Sequence, residues 1–469
     1  MKEKLKTLTM VILVFTSIFL INLLSQDTNL EFKQKAETVS VPIENYTLED
    51  MLVPHKAFIK TEDEAFIVYD VAEENLFNTA KRTLSKILTN NTMEVFEYKK
   101  EDNEFKHPDI VFYYPYEISL NILIRAYHIE NENQKIDIIK NIDKIGFYLY
   151  DDEFALILSN NEKDYLIKSK DIDMSEFILK IKKILENGNI NRINKIKLDY
   201  QSYSENTYWH EKIEMKMPIT YVSNQVVLMS AEDKEKLAEK FFEVDKYYIR
   251  QIKEDNGSVI FFYNSNVLKI NPNSLLSYYS PLRNEVKERN LYLSLNTASN
   301  FIAKNAFLPS GLILDEIIPI ESGNSKGYRF IFSHKNNGLK VFENNMESSK
   351  DVVMEVFNNE VRSFKQIYKI KDQFSYTSYE ENSSMLSYSE IINKNMDFLK
   401  SQYTENNEGT DNKQISNDQI LDQIINIYPA YYNPNLKLKN ERLLPVWTIN
   451  IFGKNYLFNA YNGVLMNIN

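Results

Sequence analysis

The chain begins MKEKLKTLTMVILVFTSIFLINLLSQDTNLE, and one run within this stretch constrains the whole fold. The run Thr7–Gln26 is 20 residues long and contains no charged side chain. As a helix that rises about 1.5 Å per residue, it spans about 30 Å, the thickness of a bilayer's hydrocarbon core. Leu, Ile, Val and Phe predominate in it, and these residues favour insertion into lipid. The sequence therefore predicts a single transmembrane helix over residues 7–26.

Charged residues on either side of the run predict its orientation. Lys2, Lys4 and Lys6 precede it, whereas Asp27 and Glu31 follow it. Because basic residues stay on the cytoplasmic side, we expect a short cytoplasmic stub and a long extracytoplasmic part. A cleaved signal peptide is the rival interpretation, but its apolar region covers about 7–15 residues and ends at a small-x-small site. The run is longer and "NLLSQDTN" has no Ala-x-Ala, so we predict an uncleaved, single-pass anchor in the cell membrane.

One face of the predicted membrane helix carries small hydroxyl side chains. Thr9, Leu13, Thr16 and Leu20 follow a 4-3-4 spacing, which places them on the same side of a helix. Threonine hydroxyls on one face can mediate helix–helix contact in lipid, so these four residues are a candidate partner face. The alternative is that the hydroxyls bond back to their own helix and have no partner.

Composition excludes several classes of function. The net charge of −11 argues against binding to nucleic acid or to an anionic membrane surface, because both need clustered Lys and Arg. The chain has no cysteine, which removes disulfides, thiol nucleophiles, cysteine zinc sites and iron–sulfur ligation. The hydrophobic share of 43% provides ample material for packed cores, so the chain is not disordered.

The pattern of the extracytoplasmic part predicts an α+β fold of antiparallel sheets with packed helices. Helical spacing occurs over 72–88, 174–185, 231–242, 291–307, 388–402 and 419–427, and short alternating strands lie between these segments. Asp255-Asn256-Gly257 predicts a hairpin turn between two apolar strands. The organisation that we predict is a stub (1–6), the transmembrane helix (7–26), a tether (27–45), an N-terminal domain (46–195), a central domain (196–310) and a C-terminal domain (311–469).

Two segments of the chain resemble each other. VIFFYNSNVLKIN (Val259–Asn271) and YLFNAYNGVLMNIN (Tyr456–Asn469) both run from a strand through a Tyr-Asn-small turn to Val-Leu and a final Asn. A helical pattern lies upstream of each. Short β-rich matches also arise by chance, so a duplicated helix-plus-sheet module stays one of two interpretations.

The sequence contains no recognisable catalytic, cofactor-binding or metal-binding motif. The nearest to a metal motif is HEKIE (His210–Glu214), but the alternation that follows it is typical of a strand, which would not bring His210 and Glu214 together. No phosphate-binding or nucleophile-elbow motif occurs. Acidic pairs such as Asp151-Asp152 lie between apolar strands and are better explained as turns. We therefore predict a protein without enzymatic activity or cofactor whose work is contact.

The C-terminal stretch is punctuated by rare residues. Pro445 is expected to open a strand in which Trp447 alternates with polar neighbours. Gly453-Lys454 is expected to provide the first reversal, and Asn462-Gly463 a type I′ turn. The stretch predicts a closing three-stranded β-meander whose rare residues serve turns and core rather than a working site.

The chain resembles the YycH family of two-component system regulatory proteins from low-GC Gram-positive bacteria. The resemblance covers the basic stub, the one N-terminal span and the large cysteine-free outer part. Its most telling segment is LPVWTINIFGKNYLFNAYNGVLM within Leu443–Asn469, which is similar to the family's closing hairpin. The later domains of that family also resemble its sister protein, YycI, which agrees with the two similar segments.

The resemblance implies a membrane partner. Members of the family associate with the WalK (YycG) sensor histidine kinase, partly through transmembrane helices, together with a YycI-like co-regulator, and they set kinase activity in cell-wall homeostasis. No catalytic residue is carried over by the resemblance. Two alternatives stay open: a PepSY-like binding or inhibitor module that acts on a secreted peptidase or cell-wall component, and a surface hydrolase with an unrecognised carboxylate pair.

Overall fold

A computed structural model provides the structure of the protein. The described residues belong to one compact unit, Asn45–Asn469. They are residues 46–61, 65–69, 71, 75–99, 108–130, 133–170, 172–187, 193–196, 217–224, 229–272, 275–305, 312–336, 338–344, 352–367, 369–371, 385–406, 415–434 and 440–468.

The helices of the described part are short to medium in length. They are α1 (Leu48–Met51), α2 (Leu76–Leu88), α3 (Leu120–Ala126), α4 (Ser175–Asn187), α5 (Ala231–Phe242), α6 (Leu291–Asn305), α7 (Tyr388–Lys394), α8 (Met396–Asn406) and α9 (Asn417–Leu421). Two 3-10 turns cover Gln134–Ile138 and Lys246–Tyr248.

The strands form two sheets. The first contains β1 (Lys56–Lys60), β2 (Ala65–Val68), β3 (Glu94–Lys99), β4 (Ile110–Ser119), β5 (Asn141–Phe147), β6 (Leu156–Ser159), β7 (Lys163–Lys168) and β8 (Ile193–Ile196). The second contains β9 (Thr220–Asn224), β10 (Arg250–Lys253), β11 (Val259–Tyr263), β12 (Asn266–Ile270), β13 (Leu275–Tyr279), β14 (Leu312–Ser322), β15 (Ser325–Asn336), β16 (Leu339–Glu343), β17 (Val352–Phe357), β18 (Glu360–Ile367), β19 (Lys369–Lys371), β20 (Ile424–Asn433), β21 (Asn440–Ile451), β22 (Lys454–Asn459) and β23 (Leu465–Ile468).

The first sheet has eight strands in the order β3-β7-β6-β5-β4-β1-β2-β8. Aromatic rings hold α2 and α4 against it: Phe77 packs edge-on against Phe112, and Phe177 packs edge-on against Phe147. All four rings are buried. Such pairs add about 0.5–1.5 kcal/mol each beyond the area that they bury.

The second sheet has 15 strands, and its main path is β10-β11-β12-β13-β18-β17-β15-β16-β20-β21-β22-β23. Its ladders are antiparallel except for the parallel pairing of β16 with β20. The pairing of β13 with β18 joins residues on both sides of position 310, so one sheet includes strands from the two predicted domains. The domain boundaries themselves stay a prediction.

The predicted α+β class is confirmed by this arrangement of mainly antiparallel sheets and packed helices. No helix within the described residues is long and apolar enough to cross a membrane. The predicted transmembrane helix (7–26) and tether (27–45) lie outside the described residues.

The last three strands form a meander, and Trp447 is fully buried within it. Pro445 does not open the strand, because β21 begins at Asn440. The carbonyl oxygen of Pro445 accepts a hydrogen bond from Ala460 N, which places the proline nitrogen on the side of β22 and away from β20. The missing N–H therefore costs no bond to β20.

Both predicted turns of the meander differ in detail from the structure. The first reversal uses Phe452 and Gly453, each with positive φ, because Ile451 pairs with Lys454. In the second, only Gly463 has positive φ, and its N–H donates to Asn459 O across a longer loop. Asn462-Gly463 is therefore not a two-residue type I′ turn.

Two helix predictions near the C-terminus were also inaccurate. The predicted helix over 388–402 is divided at Asn395 into α7 and α8, where the Asn395 amide side chain bonds Ile391 O and Gly463 O. The predicted helix over 419–427 ends at Leu421, and Ile424 begins β20 instead. Pairing of Ile424, Asn426 and Ile427 with β21 outweighs the local helical spacing there.

Candidate interaction surface and buried polar junction

A buried polar junction joins the first sheet to the second. We use this name for the side chains that meet between the segment before β1 and strands β14–β16: His55, Asp315, Ser333, Lys335 and Lys340. His55 comes far earlier in the sequence than the other four residues, so only the fold brings it to them.

Asp315 is the centre of the junction. Its Oδ2 atom accepts hydrogen bonds from Ser333 Oγ at 2.7 Å and from Lys340 Nζ at 2.5 Å. Its Oδ1 atom lies 3.7 Å from Nδ1 of His55. Lys335 Nζ donates to the backbone oxygen of His55 at 2.5 Å and to that of Tyr69 at 3.1 Å. Lys335 thus binds the chain before β1 to the second sheet, whereas Ser333 and Lys340 hold the carboxylate within that sheet.

The environment shifts the pKa values of His55 and Asp315 in the same direction. Burial, assisted by the positive charge of Lys335, lowers the pKa of His55 to about 3. Burial on its own raises the pKa of Asp315, but the charge of Lys340 and the hydrogen bonds outweigh it and lower the pKa to about 2. At neutral pH the imidazole is therefore neutral and the carboxylate ionised. The 3.7 Å contact between them is then not an ion pair.

This set of side chains resembles a Ser-His-Asp triad in composition but not in geometry. A triad needs a hydrogen bond between the serine hydroxyl and the imidazole. Here Ser333 donates to the carboxylate, and Nε2 of His55 lies 3.0 Å from Leu314 O, to which a neutral imidazole donates. Among the described contacts no bond joins Ser333 to His55. The junction has the arrangement of a structural cross-link.

No metal site is found in the part of the chain that the structure describes, where no group of three or more His, Asp or Glu could hold an ion. The HEKIE stretch (His210–Glu214) lies outside the described residues. Asp151 forms a turn, in which its Oδ1 accepts from Glu153 N at 2.8 Å, and this agrees with the predicted role of Asp151-Asp152.

A cluster of buried tyrosines lies close to the junction. Tyr127 OH donates to Leu52 O and lies 2.6 Å from Tyr114 OH. The hydroxyls of Tyr46 and Tyr116 are equally buried, yet neither has a hydrogen-bond partner among the described residues. Burial raises the pKa of all four phenols well above its ordinary value, so the rings are neutral.

Over strands β10–β13, helices cover one face of the second sheet and the other face is open. On the covered face, Phe241 of α5 and Phe301 of α6 pack against Tyr278 of β13. Strand alternation places the neighbouring side chains on the opposite side, where all but the buried Leu275 are half-buried or exposed. We define the open face by its apolar members: Ile252, Ile260, Phe262, Val267 and Tyr279.

The members of the open face are neighbours across four strands. Ile252 of β10 pairs with Ile260 of β11, and Phe262 pairs with Val267 of β12, which in turn pairs with Tyr279 of β13. Tyr279 is 45% and Ile252 is 52% exposed. An exposed apolar group of this kind, beside charged residues, is typical of a protein–protein contact.

The open face ends at a strand with one partner only. Strand β10 is the first strand of the sheet's main path and pairs with β11 alone among the described strands. All four of its residues are exposed. The 3-10 turn before it carries Tyr247 and Tyr248, which are 86% and 73% exposed. We call β10 and this turn the free edge.

The sequence did not point to these surfaces. Its candidate site, the transmembrane face Thr9, Leu13, Thr16 and Leu20, lies outside the described residues. The only available signal for the free edge was YYIRQIK, in which aromatic and aliphatic residues mix with Arg, Gln and Lys instead of forming a buried strand. The sequence contained no signal for the open face, because VIFFY is apolar on both sides of the strand.

Fold and surface together define an α+β protein in which helices cover one side of strands β10–β13 and leave the other side open. No family model matches the chain, and no curated protein matches it. The chain is similar to an uncharacterized protein from Eubacterium rectale ATCC 33656, with 13% identity and a TM-score of 0.35 over 56% of this chain and 89% of that one. It is also similar to the YpeB C-terminal domain of Bacillus megaterium, with 15% identity and a TM-score of 0.25 over 51% of this chain and 97% of that domain. At such low identities and TM-scores, neither neighbour supports an argument about function.

Proposed function

We propose that the protein is a membrane-anchored, extracytoplasmic regulator that binds and modulates a sensor histidine kinase of the WalK (YycG) type, and so acts in cell-wall homeostasis. It acts by contact and not by catalysis, needs no cofactor, and works beside a YycI-like co-regulator. The resemblance of Leu443–Asn469 to the YycH family motivates the choice of partner. The predicted anchor (7–26) restricts that partner to the same membrane.

The observation that carries the proposal is the open face. A sheet whose second side presents Phe262, Val267 and Tyr279 in one row across three strands has a surface suited to another protein. The buried polar junction supports a role in contact and not in catalysis, since its side chains direct their hydrogen bonds and charges to one another inside the protein. A regulator of this kind shifts a two-state kinase only by binding one state more tightly than the other.

The proposal also includes contact within the membrane. The helix face Thr9, Leu13, Thr16 and Leu20 is the proposed surface for the kinase's transmembrane helices. Because the chain has no cysteine, each introduced cysteine is a unique probe. We expect Thr9→Cys and Thr16→Cys in the full chain to form adducts with the kinase in cells, whereas Ile18→Cys, on the opposite face of a helix, does not.

A second experiment separates specific contact from simple tethering. Residues 1–26 are replaced by an unrelated membrane anchor of the same length and orientation, and kinase output is measured in cells. The proposal predicts a marked loss of regulation. A PepSY-like module that acts on a secreted peptidase or wall component would keep full activity under this exchange. Two results together would contradict the proposal: kinase output that is unchanged after deletion of the whole protein, and the absence of an adduct from Thr9→Cys.

The topology is tested with an impermeant thiol reagent on intact cells. Asn300→Cys should be labelled and Lys4→Cys should not, because the stub is placed in the cytoplasm. The reverse result would place the open face on the wrong side of the membrane for the proposed role.

A further inference from the structure

Among the strands that the structure describes, none pairs with the outer side of β10, so backbone hydrogen-bonding groups point outward there. Glu254 N donates to Ser258 O, which assigns Glu254 to the set of residues that bond toward β11. In an antiparallel pair this assignment alternates along the strand. Arg250 and Ile252 therefore bond toward β11, and the backbone groups of Gln251 and Lys253 point outward. These outward groups can accept one further strand.

We propose that a second copy of this chain occupies the free edge, so that β10 pairs antiparallel with β10 of the second copy and the two sheets become continuous. This inference goes beyond the proposed function and does not depend on the identity of the kinase. It concerns the contact of the protein with itself.

The outward bonding pattern limits the possible registers. The two β10 strands of the pair are related by a two-fold axis. In an antiparallel ladder, two opposite residues both direct their backbone groups toward the partner strand or both away from it, so the axis must pass between a residue and the same residue of the second copy. Axes at Arg250, Lys253 or Glu254 bring like charges together. Axes at Gln251 and Ile252 place no like charges opposite each other. Of these two registers, only the axis at Ile252 places opposite charges across from each other.

With the axis at Ile252, Arg250 of each copy lies opposite Glu254 of the other. Arg250 is exposed and has no ion pair with any residue that the structure describes, whereas Glu254 is held in place by Lys269 at 2.9 Å. The register thus supplies two symmetric ion pairs. Opposite charges directly across a ladder are stabilising, and like charges are destabilising.

The same register accounts for the exposed apolar residues of the free edge. Ile252 of one copy meets Ile252 of the other, at about 4.5 Å between Cα atoms for a pair without direct hydrogen bonds. The turn that carries Tyr247 and Tyr248 comes against the hairpin turn Asp255–Gly257 of the second copy. Rings that are 86% and 73% exposed in one chain are covered in the pair.

Formation of a disulfide in the full chain tests the pairing. Ile252→Cys places two cysteines within the Cα separation of about 4.4–6.8 Å that a disulfide needs. The full chain is expressed in the membrane of a bacterial host without the kinase, and mild oxidation is followed by a non-reducing gel. Val464→Cys is the control, because Val464 is 54% exposed beside β23, the sheet's other end strand. We expect dimer from Ile252→Cys at a yield at least about tenfold above that of Val464→Cys, as paired sites give a high effective concentration.

A charge exchange tests the register. In the Ile252→Cys background, Arg250→Glu and Glu254→Arg should each reduce dimer yield by about fivefold or more, because each homodimer then has two like-charge contacts. Co-expression of the two variants restores opposite charges, so we expect disulfide dimers that contain one of each. These mixed dimers also show that both variants fold.

Two results overturn the inference. One is a yield from Ile252→Cys that does not exceed that of Val464→Cys. The other is an unchanged dimer yield in both charge variants, since it shows that contact at Ile252 does not use this register. Neither result bears on kinase binding, so the failure of the pairing and the failure of the proposed function are distinguishable.

Discussion

Nζ of Lys340 on β16 lies 2.5 Å from Oδ2 of Asp315 on β14, and the carboxylate is buried. Through His55 and Lys335 the same cluster holds the chain that leads into the first sheet. The charged group that connects the two sheets is Lys335, through its hydrogen bonds to the backbone oxygens of His55 and Tyr69. Such a contact favours one relative arrangement of the elements more than it adds to stability, because desolvation offsets much of the attraction.

Removal of the charge on Asp315 should be strongly destabilising. In Asp315→Asn the size of the side chain is kept, but Lys340 loses its counter-ion in a mostly buried place. We expect a loss of about 3–5 kcal/mol in the free energy of unfolding, the range for breaking one partner of a buried pair. The measurement is urea denaturation of the wild type and the variant. Glu232→Gln removes an exposed ion pair with Lys236 and should cause no measurable change; equal effects of the two variants would contradict the structural role of the junction.

His55 should make stability depend on pH. Its pKa is about 3 in the folded protein and about 6.5 when unfolded. Between these values the unfolded state binds more protons, so stability is fully present above about pH 6.5 and falls as the pH decreases toward 3. The slope reaches about 1.4 kcal/mol per pH unit for this one group. His55→Gln keeps a donor for Leu314 O and cannot titrate, so we expect the slope to decrease by that amount.

The control for this pH dependence is His128→Asn. His128 is exposed and has positive φ, which asparagine tolerates. Denaturation midpoints between pH 4 and 7 give the slopes for all three proteins. An undiminished slope in His55→Gln would show that other groups dominate the pH response.

Local signals predicted local elements well. The helix over 231–242 was predicted with correct bounds, because apolar spacing follows Ser230, which forms a capping box with Asp233. The turn at Gly257 was predicted from Asp-Asn-Gly, and Gly257 has a φ of +86°. In both cases neighbours in the sequence determine the structure.

Features that depend on distant residues were not predicted. Leu314 and His55 are 259 positions apart, and no pattern in the sequence places them in contact. The first residues of β20 were assigned to a helix, since they are paired with β21, which begins only at Asn440. The open face was missed for another reason: apolar residues occupy both sides of β11, so alternation alone cannot show which side the helices cover.

Two buried tyrosines should respond in opposite ways to loss of the hydroxyl. Tyr116 OH has no partner among the described residues, so Tyr116→Phe removes a desolvated group without loss of a bond. We expect no loss of stability, or a gain of up to about 1 kcal/mol. Tyr127→Phe leaves Leu52 O and Tyr114 OH without their partner, and we expect a loss of about 1–3 kcal/mol. Thermal unfolding compares the two variants; a large loss in Tyr116→Phe would indicate a hidden partner for its hydroxyl.

The open face should matter for regulation and not for folding. Tyr279 is 45% exposed on β13, and threonine is well accepted in strands, so Tyr279→Thr should change the free energy of unfolding by less than about 1 kcal/mol. If the kinase binds this face, loss of the ring removes apolar contact area from the complex alone. We therefore expect kinase output in cells to shift toward that of a deletion strain. Phe96→Thr is the matched control, because Phe96 is 37% exposed on a strand of the other sheet. Equal shifts in both variants would mean that surface aromatic residues act through protein level; normal output in Tyr279→Thr would direct attention away from the open face and to the membrane helix.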